Sequence, residues 1–104
     1  MTGGENVASR EVEAVLHDHP AVHDVAVVGI PDDYFGEAVA AAVVIRPGGH
    51  ATEDELVAHC RERLASYKRP RRVVFVADLP RNTVGKVDKG QVRAALRGPV
   101  QVPD

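Results

Sequence analysis

Three stretches of the chain set polar or charged side chains among residues that interrupt regular structure: Gly3-Gly4-Glu5-Asn6, Tyr67-Lys68-Arg69-Pro70-Arg71-Arg72 and Pro80-Arg81-Asn82-Thr83-Val84-Gly85-Lys86. Loops carried by a rigid scaffold are where chemistry is usually presented. Gly85-Lys86 invites a phosphate-binding P-loop reading, which fails. Pro80 stands where that motif needs its first glycine, and Val87 where it needs Ser or Thr. What remains is a lysine at the end of a polar loop, just ahead of a helix. Such a lysine is a compact point charge on a flexible stem, suited to a phosphate or a developing anion, or simply to solvent. From Lys68 to Arg72, Pro70 interrupts four cations. The proline biases Arg69 toward an extended backbone, so the cations splay apart. A polyphosphate fits that arrangement; so do a nucleic-acid backbone and a solvated charged turn.

Other reactive residue types carry less. His17, His19 and His23 lie close in sequence, but Pro20 breaks the helix between them and no thiolate is near. They read as exposed helix-end residues, not metal ligands. Cys60 falls on the apolar stripe of a helix and reads as core. The aromatic residues are Tyr34, Phe35, Tyr67 and Phe75. None forms a stacking stripe with the cations, which argues against single-strand nucleic-acid binding. Tyr34-Phe35-Gly36 is either hairpin packing or a stacking surface at the mouth of a site.

The positioning elements must fit into 104 residues, of which 44% are apolar, enough for one domain with one modest core. The net charge of −2 conceals a strong asymmetry. Residues 1–60 hold two basic and eleven acidic side chains, whereas residues 61–104 hold eleven basic and four acidic ones. A basic half of that kind suggests a face for anions. A single cysteine excludes an internal disulfide and a thiolate zinc site. The longest apolar run, Ala38–Ile45, is far short of the roughly 20 residues that span a bilayer. The first residues lack the pattern of a secretory signal, so a cytoplasmic setting is expected.

Periodicity predicts the order α-β-β-α-β-α. Ser9 is expected to cap a first helix, with Glu11 and Glu13 in its first turn and Val12, Val15 and Leu16 on its apolar stripe. Val25–Ile30 and Glu37–Ile45 read as strands joined by a turn at Pro31-Asp32-Asp33, and the short link favours an antiparallel pair. Thr52-x-x-Glu55 is a capping box opening a helix that runs to about Ser66. Val73–Val76 is a third strand. Asp88 caps a last helix with Val92, Ala95 and Leu96 inward. The expected fold is α+β, a small three-stranded sheet with helices packed on it.

Taken together, the segments resemble the C-terminal domain of adenylate-forming enzymes, in the acyl-CoA synthetase (acid–CoA ligase) branch. The resemblance begins at Gly3-Gly4-Glu5-Asn6-Val7 and Glu11-Val12-Glu13. It continues through His19-Pro20-Ala21-Val22, Val28-Gly29-Ile30-Pro31-Asp32 and Gly36-Glu37. It closes with Tyr67-Lys68-x-Pro70 and Leu79-Pro80-Arg81-Asn82-x-x-Gly85-Lys86-Val87. Nearly the whole chain is covered, in order.

The resemblance implies a two-step reaction. An acid and Mg2+-bound ATP give an acyl-adenylate and pyrophosphate, and the thiol of CoA then displaces AMP. It implies that Lys86 serves adenylation, that Gly3 and Gly4 flank the pantetheine tunnel, and that Arg69 and Arg71 hold CoA phosphates. Tyr34 and Tyr67 match aromatic positions near the CoA adenine. It further implies a post-hinge glycine loop over residues 1–8, the domain proper over 9–98 and a tail over 99–104. The nucleotide loop, acid pocket and magnesium ligands belong to a large N-terminal domain that these residues do not include. The expectation is therefore a mobile domain inactive without that partner, with no tightly bound cofactor, no nucleic acid and no membrane span, in fatty acid or related acid metabolism. An autonomous anion- or nucleic-acid-binding module and an inactive remnant stand as the alternatives.

Overall fold

The computed structural model describes residues 7–32 and 36–97. Helix α1 (Val7–His17) leads into β1 (Val22–Asp32) and β2 (Gly36–Ile45). Then come α2 (Glu53–Arg61), a 3-10 turn (Ser66–Lys68), β3 (Arg72–Phe75) and α3 (Lys89–Arg97). The sheet order is β1-β2-β3, with β1 antiparallel and β3 parallel to the central strand. This is the expected α+β architecture, and the parallel third strand requires the crossover that α2 supplies.

Alternation along the strands sends side chains to two apolar layers. On one face, Val25, Val27, Ala41, Val43 and Val73 meet Val12 and Leu16 of α1 and Leu56 and Cys60 of α2. On the other, Ala26, Val28, Ala40, Ala42 and Val44 meet Leu79 and, from α3, Val92 and Leu96. β2 is thus buried on both sides. Its alanines, weak strand formers by propensity, leave room for helices on each face.

Local expectations fail in instructive ways. α1 starts at Val7, so Ser9 lies inside the helix, buried, and does not cap it. Glu11 and Glu13 consequently lie beyond the first turn and are used in long-range ion pairs: Glu11 with Lys68 at 2.7 Å, Glu13 with Lys89 at 2.6 Å. The Glu11 hydrogen bond, above all, holds the Lys68 ammonium more firmly protonated than an ordinary lysine. β1 runs past its predicted end, with Pro31 opposite Glu37 and Asp32 opposite Gly36. Proline is tolerated there because β1 is an edge strand, and Pro31 is in phase with Val25 and Val27, whose N–H groups point away from β2.

α2 stops at Arg61, well before Ser66. The Arg69 guanidinium terminates it, donating from Nε to the Leu64 carbonyl at 3.0 Å and from Nη2 to the Arg61 carbonyl at 3.2 Å. The Thr52–Glu55 capping box forms as expected, with both reciprocal bonds present. Asp88 accepts from the Gln91 amide at 3.2 Å at the start of α3. Ala95, expected inward, is exposed, because Val92 and Leu96 alone define the buried stripe of a nine-residue helix.

The outer edges of the sheet are closed by side chains. Val25 N–H donates to Asp24 Oδ1, Val27 N–H to Glu13 Oε2, and Arg93 Nε donates to the Gly29 carbonyl. On the far edge, Val73 N–H donates to Glu53 Oε2.

Two measurements check this account. Leu56→Ala should destabilise the chain by about 2–5 kcal/mol in urea unfolding, because the fully buried side chain joins α2 to the sheet. Thr52→Ala, which removes only the cap, should cost about 1 kcal/mol. The Asp88 carboxyl is held below the usual aspartate range, chiefly by the Gln91 side chain and then by its backbone amide. Its contribution to α3 is therefore complete above the ordinary aspartate pKa and is lost as pH falls through the lowered folded value. A carboxyl-carbon NMR titration should place its midpoint below that of a free aspartate; a midpoint at or above it would remove Asp88 as a cap.

Candidate functional site

The loop carrying Lys86 is closed at its base by a bridge between Arg81 and Val87. Asn82 organises its interior. The Asn82 amide donates to the Lys86 carbonyl at 2.8 Å, and its side-chain Oδ1 accepts from the amides of Val84 at 3.0 Å and Lys86 at 3.1 Å. Gly85 takes φ +88°, a left-handed conformation that a side chain would strain. Arg81 reaches across, donating from Nη1 to the Gly85 carbonyl and from Nη2 to Asp24 Oδ2 at 2.6 Å. The Lys86 ammonium makes no ion pair or hydrogen bond among the described residues, while its neighbours Arg81 and Lys89 are both paired.

The loop borders an open cleft of about 780 Å3 against α1 and the edge of β1. Arg10, Lys86 and Lys89 bring positive charge to it, and Glu13, itself paired with Lys89, and Asp88 contribute the opposing carboxylates. A small anion entering this cleft would meet an ammonium on a rigid loop, the arrangement that electrostatic stabilisation favours.

Arg69, Arg71 and Tyr67 sit elsewhere, lining a groove of about 380 Å3 with Glu37 and Val39 at the start of β2. No residue lines both the groove and the Lys86 cleft. The cation cluster splays as the proline implies. Lys68 turns to Glu11 and Arg69 to the end of α2, while the Arg71 amide donates to the Val39 carbonyl and extends β3. Arg69 is thus engaged in the fold, with Nε and Nη2 both on carbonyls. Tyr67 is 76% exposed at the rim. Gly3, Gly4 and Tyr34 lie outside the described residues.

Among the described residues, no group of three His, Cys, Asp or Glu side chains could hold a metal ion. The rings of His17, His19 and His59 meet backbone groups or one another. His17 contacts the His23 carbonyl, His19 Nδ1 accepts from Ala21 N–H, and His59 donates to the Val15 carbonyl against the His19 ring edge. Cys60 is fully buried, and burial pushes its thiol up despite nearby Arg63. No helix among the described residues is long and apolar enough to cross a membrane. Sequence reasoning passed over Asp24 and named Glu13 and Asn82 without their supporting roles. Only Asn82 had a local signal, an Asx side chain three residues before a turn glycine.

These features have counterparts in known proteins. The family profile described as "AMP-binding enzyme C-terminal domain" matches residues 11–86, ending on Lys86. The 3-oxocholest-4-en-26-oate–CoA ligase of Rhodococcus rhodochrous is 49% identical over 87 residues, 84% of this chain and 16% of that protein. The long-chain-fatty-acid–CoA ligase FadD13 of Mycobacterium tuberculosis is 43% identical over 93 residues, 89% of this chain and 18% of that protein. ATP-bound MatB from Rhodopseudomonas palustris superposes with a TM-score of 0.85 at 40% identity, covering 93% of this chain and 19% of the other. The chain therefore spans less than a fifth of the length of each of these relatives. On a matched profile, identities of two in five or more and a shared fold, this chain belongs to the AMP-binding enzyme C-terminal domain family, as found in acyl-CoA synthetases and CoA ligases.

Proposed function

We propose that this chain works as the mobile C-terminal domain of an ATP-dependent acid–CoA ligase, bringing Lys86 to the adenylation centre of a large partner domain. The observation that carries this reading is the Lys86 loop itself: an ammonium with no partner among the described residues, on a loop held by its own hydrogen bonds. Adenylation joins two anions, the substrate carboxylate and the α-phosphate of Mg2+-bound ATP. The carboxylate oxygen attacks the α-phosphorus and pyrophosphate leaves. A fixed ammonium between the two offsets their repulsion as the bond forms.

The groove of Arg69, Arg71 and Tyr67 supplies part of the CoA site in the second step, in which the thiol attacks the acyl carbon and AMP leaves. The separation of groove and cleft supports a domain that offers different faces to the two steps. Arg69 and Arg71 both line the groove and are the candidates for the CoA phosphates, with two of Arg69's nitrogens also holding carbonyls at the end of α2; exposed Tyr67 is the candidate for the adenine face. Gly3, Gly4 and Tyr34 complete this assignment by resemblance. The corresponding division of the chain is a glycine loop over 1–8, the domain over 9–98 and a tail over 99–104, in a cytoplasmic enzyme.

Joined to, or co-expressed with, the large domain of an acyl-CoA synthetase, the chain should restore CoA-dependent release of AMP. Lys86→Ala should then slow adenylation by about 10²- to 10³-fold, the loss typical of one electrostatic stabiliser, and spare thioester formation from a preformed acyl-adenylate. Unaltered adenylation would sink the assignment. Arg71→Ala should raise the KM for CoA about tenfold without changing adenylation, as expected for one lost charge-assisted bond. Arg69→Ala should also lower the melting temperature, because it uncovers the carbonyls at the end of α2. An unchanged KM in both variants would move CoA out of the groove.

A further inference from the structure

We propose that Asp24 and Arg81 are positioning residues for Lys86, a single guanidinium tying the loop that carries the lysine to the edge of β1. The inference rests on the role proposed above for Lys86 and adds how the ammonium is aimed. Lysine brings no directionality of its own; four rotatable bonds separate its charge from the backbone. Its placement is therefore only as good as the backbone at residues 85 and 86. That backbone is fixed within the loop by Asn82, but bonds inside a loop do not determine how the loop sits on the domain.

Arg81 makes that connection. One arm, Nη1, donates to the carbonyl of Gly85, the residue immediately before Lys86, at 3.2 Å. The other arm, Nη2, donates to Asp24 Oδ2 at 2.6 Å. Asp24 in turn belongs to the scaffold. It lies at the irregular step in the β1 register, and its Oδ1 accepts the Val25 amide at 3.0 Å. The path from sheet to lysine is thus a run of charge-assisted bonds through one planar fork, a geometry that arginine supplies and lysine does not. Gly85 has φ +88°, so the carbonyl that Arg81 holds belongs to the pivot of the turn. At the exit of the loop, Lys89 pairs with Glu13. That second anchor is half-buried and shared with β1, whereas the side chains of Arg81 and Asp24 are 43% and 32% exposed and can be altered without opening the core.

Nitrogen-15 relaxation on this chain provides one test. In Asp24→Asn, the order parameters of the Gly85 and Lys86 amides should fall from about 0.85 toward 0.6 or below, while Ala41 and Val43 in the sheet keep theirs. Asp24→Glu should restore the loop. With a large acyl-CoA synthetase domain, Asp24→Asn should slow adenylation about three- to tenfold at unchanged KM for ATP, the scale of a partly exposed ion pair. Thioester formation from a preformed acyl-adenylate should keep its rate. An unchanged loop, an equal slowing of both steps, or a loosened loop with full adenylation each overturns the proposal. Adenylation that survives Lys86→Ala overturns the reading beneath it as well, so the two failures are distinguishable.

Discussion

The constraint on which the structure turns is that a sheet of only three strands must be covered on both faces. The middle strand then has no polar side. β2 meets α1 and α2 across Ala41 and Val43, and α3 across Ala40, Ala42 and Val44. Small side chains at three successive positions let two layers of helices approach one strand, and the valines that follow fill the volume. The candidate functional segments inherit their places from this arrangement. α1 and β1 form one wall of the Lys86 cleft, and the start of β2 forms the floor of the arginine groove.

Charge supplies what the small core does not. The acidic first half and the basic second half of the chain find one another in space. Glu11 meets Lys68, Glu13 meets Lys89 and Asp24 meets Arg81. Each pair joins segments more than fifty residues apart, and each fastens a polar turn, a loop or the start of α3 to the α1–β1 unit. Exposed pairs contribute little to global stability. Their effect is local, restricting turns that have few apolar contacts. Around the Lys86 loop this leaves a clear division: Arg81 and Lys89 are neutralised by carboxylates, and Lys86 projects from the loop they secure.

The strands, the capping box, the buried stripe of α2 and the Lys86 loop were legible in the sequence because each is specified by near neighbours. Thr52 and Glu55 are three residues apart, and the apolar alternation of β1 and β2 is continuous. The errors have a common origin in tertiary contacts. The end of α2 is set by Arg69, whose side chain replaces the next helical turn. The reach of β1 through Pro31 depends on its being an edge strand, which only the sheet order reveals. Within one cationic run nothing marked Arg69 as the side chain whose Nε and Nη2 would go to carbonyls of the chain itself. Asp24 carried no local sign of importance, since its partner is 57 residues away.

The side chains along the rims of the sheet bear on how copies of the chain behave toward one another. Outward-facing backbone groups of an exposed strand are a template on which a second molecule can add a strand of its own. Here the Val25 and Val27 amides, the Gly29 carbonyl and the Val73 amide are already occupied by Asp24, Glu13, Arg93 and Glu53. An incoming strand would have to displace charged groups and leave them unpaired beside its own backbone. The same side chains that complete the fold therefore guard against edge-to-edge polymerisation.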